Sequence, residues 1–163
     1  MHIFVKNKNL YIDNYRLKCA IGKRGISRKK KEGDKITPQG KFKIKAILYR
    51  KDRVLLNNTK ITKLVINKRM GWCDDPMSID YNKLIIFPQK YHAEKLYRSD
   101  NIYDIVLVLN YNTSPIIKNR GSAIFIHIAK RKYESTLGCV AVSKKDLKMI
   151  VKKINKSTVV HIS

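Results

Sequence analysis

The sequence predicts a mainly β fold, β-rich α+β, closed by a short C-terminal helix packed on the sheet, and three observations carry that prediction. Short apolar, β-branched runs such as Ile3 to Val5, Leu17 to Ile21 and Ile105 to Leu109 recur between turn residues, which is the pattern of strands. Only Leu147, Ile150, Val151 and Ile154 repeat at helical spacing with a preceding cap signal. The 163 residues, 44% hydrophobic, suffice for one core, and no linker or repeat interrupts them, so residues 1–163 are expected to form one domain.

In chain order, Ile3 to Val5 and Leu10 to Ile12 flank Asn7-Lys8-Asn9 as a hairpin, and Asp13-Asn14 starts a second turn. Leu17 to Ile21 is a third strand ended by Gly22. A basic loop, Lys23 to Lys35, containing the Arg28 to Lys31 cluster, leads to a turn at Thr37-Pro38 and Gly40. Lys41 to Leu48 alternates apolar and polar residues as a strand. Tyr49 to Arg53 is a polar connection, and Leu64 to Ile66 a brief strand after an Asn57-Asn58 turn. His92 to Arg98 has the composition of one or two helical turns, and His92 has no nucleophile near it in sequence. Ile105 to Leu109, apolar throughout, is expected to be central; Tyr111 to Pro115 turns the chain. After Val140 to Val142, Ser143 with Asp146 caps the helix, and Thr158 to Ile162 closes as a terminal strand.

Lys and Arg number 36 against 12 Asp and Glu, a formal charge of +24, which points to a polyanionic partner: nucleic acid, anionic membrane or bacterial wall polymer. Most of the basic residues are scattered singly. Three cysteines, Cys19, Cys73 and Cys139, are too few and too dispersed for a disulfide scaffold, and no zinc spacing appears, so neither metal nor cofactor is expected. If Cys19 and Cys73 paired, Cys139 would still be free. The N-terminus lacks the unbroken apolar region of a secretory signal, and no stretch is long enough to span a bilayer.

Gly121 to Ser143 brings one imidazole and one thiol together across a loop. Ser122 to Ile128 reads as a buried strand with His127 near its end, and Cys139 opens a returning apolar run. A thiol attacks a carbonyl as thiolate, so it needs a base or a positive field; His127 could take the proton, and Lys130, Arg131 and Lys132 would favour the thiolate. Gly138 permits a sharp turn, so that backbone N–H groups at Leu137, Gly138 and Cys139 can face an oxyanion. The bland alternative is a structural cysteine beside a core histidine.

His127, Thr136, Gly138 and Cys139, as His, a loop, then [ST]-x-Gly-Cys before an apolar strand, resemble the signature of the YkuD-type L,D-transpeptidases. EGDKITPQGKF (Glu32 to Phe42), YRKDR (Tyr49 to Arg53), GWCDDP (Gly71 to Pro76), DYNKLI (Asp80 to Ile85) and YDIVLVLNYN (Tyr103 to Asn112) are similar to segments of one branch of that family, in family order. The resemblance implies a β-sandwich and a peptidoglycan L,D-transpeptidase. Cys139 would attack a stem tetrapeptide to give a thioester, with His127 as base and its other ring nitrogen held by a backbone carbonyl. With water as acceptor the same site would be an L,D-carboxypeptidase or endopeptidase. It also implies a periplasmic or cell-wall location, with a cytoplasmic pool or another export route left open by the N-terminus. Two positions depart: Leu137 stands where the family commonly has His, and Ala141 where it commonly has the Arg credited with binding substrate carboxylate.

Substrate contacts are therefore sought elsewhere. Gly71 to Pro76 concentrates the only Trp with two carboxylates. Trp72 could floor a peptide groove or plug the sheet, Asp74 could hold a cationic amine, and Asp75 before Pro76 suits a turn cap. Tyr81 and Asn82 would extend that wall, Thr136 would border the nucleophile, and Arg50 and Arg53 are the basic groups expected to anchor the carboxylate. A reading of another class, a basic module stacking single-stranded nucleic acid, explains the charge but leaves the cysteine unused, and no nucleic-acid motif accompanies it.

Overall fold

Two long strands that each serve two sheets shape this molecule. The computed structural model describes residues 1–29, 31–57 and 59–163. In order, its elements are β1 (His2–Lys6), β2 (Asn9–Ile12), β3 (Tyr15–Ala20), β4 (Ile26–Ser27), β5 (Thr37–Pro38), β6 (Gly40–Tyr49), β7 (Lys63–Val65) and β8 (Met70–Cys73), then β9 (Leu84–Ile86), β10 (Ala93–Lys95), β11 (Ile105–Leu109), β12 (Phe125–Ile128), β13 (Val140–Val142), α1 (Lys144–Lys153) and β14 (Val159–Ile162). The main sheet runs β11-β12-β13-β3-β2-β1-β14-β6-β7, and β6 also pairs with β11. The first residues of β6 pair antiparallel with β14 and its later ones with β11; β3 pairs first with β2 and then, at Cys19 and Ala20, with β13. The sheet thus folds on itself as a β-sandwich, mainly β with one short helix.

Between its layers lies the main core, where Ile3, Val5, Leu10 and Ile12 meet Leu107, Ile126 and Val142. On β11 and β12 the side chains alternate between this core and a second cluster: Ile126 and Ile128 face inward, while Phe125 faces the cluster that holds Val106, Val108, Trp72 and Leu96. A three-stranded sheet, β10-β8-β9, covers that second face. Both faces of β11 are therefore buried, which is why its sequence is apolar throughout. Ser143 caps α1 by accepting the Asp146 N–H at 3.0 Å, and Leu147, Ile150, Val151 and Ile154 join the main core. Each such buried side chain contributes about 1.5–3 kcal/mol.

Four expectations change. Ala93–Lys95 is a strand pairing with β8, not a helical turn, because the ladder to Gly71–Cys73 and the full burial of Leu96 override helical composition. Thr37–Pro38 is a two-residue strand parallel to β4 rather than a turn. The run from Ser122 enters the ladder only at Phe125, since Ala123 has a left-handed φ of 50°. Lastly, β12 and β13 are parallel neighbours, not a hairpin, with His127 opposite Ala141. The turn at Asn7-Lys8 is present, with φ of 48° and 59°. Of the Asn57-Asn58 turn, Asn58 lies outside the described residues, as does Lys30 of the basic cluster.

Candidate active site

Parallel pairing of β12 with β13 returns the chain to the start of β12, so Cys139, just before β13, lies beside Phe125. The connecting segment is pinned on its way: Thr136 N–H donates to the Ile21 carbonyl at 2.9 Å, and Lys23 N–H to the Thr136 carbonyl at 3.0 Å. His127, two residues beyond Phe125, emerges on the same face. Both side chains line one cleft of about 580 Å³, with Tyr103, Ala123, Thr136 and Leu137 among its walls.

His127 Nδ1 lies 2.9 Å from the Ile128 carbonyl oxygen. A carbonyl only accepts, so Nδ1 carries the proton and Nε2 the lone pair. The ring packs edge-on to Tyr103, centroids 5.3 Å apart, and burial pulls its pKa down to about 4, so the imidazole rests neutral. Cys139 is partly exposed in the cleft. Its thiol donates to the Ala123 carbonyl at 3.0 Å and its sulfur accepts the Phe125 N–H at 3.4 Å. Burial first, then the Glu94 carboxylate, pushes the thiol up to about 12, opposed by the Phe125 N–H and Lys29. Of the cations, Lys29 rather than the expected Lys130 to Lys132 acts on it: Lys130 is paired with Glu134 at 3.0 Å, and Arg131 and Lys132 are exposed. The resting pair is thiol and neutral imidazole.

Thr136 Oγ1 donates to the Cys139 carbonyl at 2.6 Å and accepts the Gly138 N–H at 3.1 Å. The Gly138 N–H expected to face an oxyanion is therefore occupied, whereas among the described residues those of Leu137 and Cys139 have no hydrogen-bond partner. Gly138 is required for its shape: its φ is 147°, and a Cβ there would stand 3.0 Å from the Ile36 carbonyl.

Of the expected substrate contacts, Thr136 and Asp74 line the cleft, and Asp74 pairs with His92 Nδ1 at 2.5 Å. The others do not. Trp72 packs edge-on to Phe125 at 5.2 Å, and its Nε1–H donates to Asn82 Oδ1 at 3.0 Å, so both serve the wall from behind. Asn82 uses every polar site: Oδ1 also accepts the Ala123 N–H at 3.1 Å, and Nδ2 donates to the Tyr111 and Asn112 carbonyls. Tyr81 is 1% exposed; its hydroxyl donates to Glu32 at 2.5 Å and accepts the Gly121 N–H at 2.9 Å. Arg50 is buried, chelated by Asp52, bonded to the Arg98 carbonyl and stacked 3.5 Å from the Tyr97 ring centroid. Arg53 ties Asp104 and the Ser99 and Asp100 carbonyls. These two arginines clamp the loop before β11, a position that loop composition did not disclose.

Cleft residues that sequence reasoning missed include Lys29, Glu94 and Arg98. Glu94 sat in a segment read as helical, so its side-chain direction was not legible; β10 turns it into the cleft. All three cysteines are free. Among the described residues no group of three His, Cys, Asp or Glu could hold a metal ion, and no helix is long and apolar enough to cross a membrane.

Among curated proteins none matches this chain. A family model, the YkuD L,D-transpeptidase catalytic domain, matches residues 1–162, nearly the whole length. A sandwich with His and Cys facing one cleft from adjacent strands agrees with that match, and the chain belongs to the YkuD L,D-transpeptidase family.

Proposed function

We propose that this protein is a peptidoglycan L,D-transpeptidase in which Cys139 is the nucleophile and His127 the general base. The observation that supports it most directly is that a partly exposed thiol and an imidazole whose Nδ1 proton is committed to Ile128, leaving Nε2 basic, line one cleft. A stem tetrapeptide binds with the carbonyl of its third residue at Cys139. The thiol leaves the Ala123 carbonyl, gives its proton to His127 Nε2, and the sulfur adds to the carbonyl carbon. Free N–H groups at Cys139 and Leu137 are the donors for the oxyanion. His127 then protonates the departing amine of D-Ala, leaving a thioester. An acceptor amine attacks the thioester carbon; the C–N bond forms, the C–S bond breaks, and His127 carries the amine proton to sulfur. Water in place of the amine gives the tripeptide, the hydrolytic outcome of the same site.

A neutral resting pair fits this sequence of steps, because proton transfer then accompanies attack and no free thiolate is exposed between turnovers. Arg98 lines the cleft and spends Nε and Nη2 on Asp100, and its remaining Nη1 takes the place of the family's carboxylate-binding Arg as anchor for the terminal carboxylate. The reaction belongs on the wall side of the membrane, where a charge of +24 favours anionic polymer. Incubation with tetrapeptide muropeptides, with and without acceptor, tests the reading: cross-links or tripeptides are expected, together with a mass adduct of a carbapenem on Cys139 that Cys139→Ala abolishes. An inert mixture with no adduct overturns it.

A further inference from the structure

Acidic residues are scarce in this chain, 12 against 36 basic ones, yet they gather at the cleft. Glu32, Asp74, Glu94 and Glu134 line it, against Lys29, Arg98 and Lys130. Each of those cations already has a carboxylate: Lys29 with Asp34 at 2.5 Å, Arg98 with Asp100 at 2.6 Å, Lys130 with Glu134 at 3.0 Å. By contrast, among the described residues Glu94 accepts a hydrogen bond only from a neutral donor, the Tyr103 hydroxyl at 2.6 Å, with Arg98 and His92 acting on it through their charge without bonding it, and Asp74 holds His92. The same Tyr103 ring carries the His127 imidazole on its edge, so the carboxylate stands at the far end of the ring that supports the base. Cys139 packs against the cluster containing Tyr103. In the cleft wall the buried Ser122 hydroxyl lies beside the Tyr81 hydroxyl, which donates to Glu32.

We propose that Glu94, with Asp74 beside it, is the subsite that captures the acceptor's ammonium group and so decides whether the thioester passes to an amine or to water. The assignment rests on the transpeptidase reading above. A primary amine arrives protonated, and a carboxylate close to the sulfur concentrates it where the thioester carbon stands. Charge and atoms balance in the transfer: the bound ammonium gives one proton to Glu94, the free amine attacks the thioester carbon, the C–S bond breaks, and the second amine proton reaches sulfur through His127. Glu94 then returns its proton to solvent. Burial favours the neutral form of this carboxyl, which suits it to hold that proton.

The experiment forms the acyl-enzyme from a tetrapeptide donor and partitions it between water, a peptide acceptor bearing a side-chain amine, and hydroxylamine at a pH where hydroxylamine is uncharged. Glu94→Gln keeps an acceptor for the Tyr103 hydroxyl. It is expected to acylate at least as fast as wild type, to lose about tenfold in transfer to the ammonium-bearing acceptor, and to leave transfer to hydroxylamine unchanged. Asp74→Asn is expected to shift the partition the same way by less. In wild type alone, a quaternary ammonium analogue of the acceptor is expected to inhibit transfer without inhibiting hydrolysis, an arm that depends on no variant folding. Unchanged partition in Glu94→Gln, or equal losses for the amine and hydroxylamine, overturns the Glu94 assignment while acylation still stands. Failure of wild type to acylate overturns the transpeptidase reading itself, and this inference with it.

Discussion

The Ala123 carbonyl accepts the Cys139 thiol at 3.0 Å, and Ala123 is itself held at a left-handed φ of 50° by the hydrogen bond from its N–H to Asn82 Oδ1. The Cys139 thiol is thus parked on a strained backbone segment whose conformation depends on a side chain that never enters the cleft.

Asn82→Ala should therefore harm both stability and chemistry. It strips partners from the buried Trp72 Nε1–H and the Ala123 N–H, and it puts Ala at a φ of 57°. A loss of about 2–4 kcal/mol in denaturant unfolding is expected. Acylation of Cys139 should fall further than the folded fraction does; equal losses would make Asn82 purely structural.

Acid should destabilise the fold through His127. Its folded pKa of about 4 lies below the ordinary 6.5, so between those values the unfolded chain binds more protons. Stability is complete above pH 6.5 and declines as pH falls towards 4, by about 3 kcal/mol for this group. Urea midpoints of wild type and His127→Gln measured across that window give the check: the decline should flatten in the variant. Because the thiol is raised to about 12, iodoacetamide alkylation of the free enzyme at neutral pH should be slow with or without His127.

Arginine substitutions should separate anchoring from scaffolding. Arg50→Ala removes a buried guanidinium bonded to Asp52 and the Arg98 carbonyl and is expected to lower Tm by several degrees with KM for tetrapeptide little changed in the folded fraction. Arg98→Ala, on the cleft wall, is expected to raise KM about tenfold. The reverse pattern would return the anchor to Arg50.

Gly138→Ala tests the turn at Cys139. A Cβ at φ 147°, 3.0 Å from the Ile36 carbonyl, should cost about 1–3 kcal/mol and displace the Leu137 and Cys139 N–H groups. Acylation should drop strongly even where the folded state survives, which a thermal melt and the mass adduct together measure.

Local chemistry was enough to read the strand-rich class, the N-terminal cap of α1, the hairpin at Asn7-Lys8 and the convergence of His127 and Cys139 on one cleft, because each is written in periodicity, turn residues or a short motif. What composition could not decide was direction. Whether Trp72, Tyr81 and Arg50 face a cleft or a core, whether Glu94 lies on a helix or a strand, and whether β12 and β13 run parallel all depend on which distant segment pairs with which. Those pairings are set by burial of two apolar faces across the whole chain, and a one-residue change of register would turn every side chain of a strand to its opposite face. That His127 and Cys139 share one cleft was therefore legible in a few neighbouring residues, whereas the neutral resting state of thiol and imidazole and the acidic wall around them were decided by the tertiary structure that buries them.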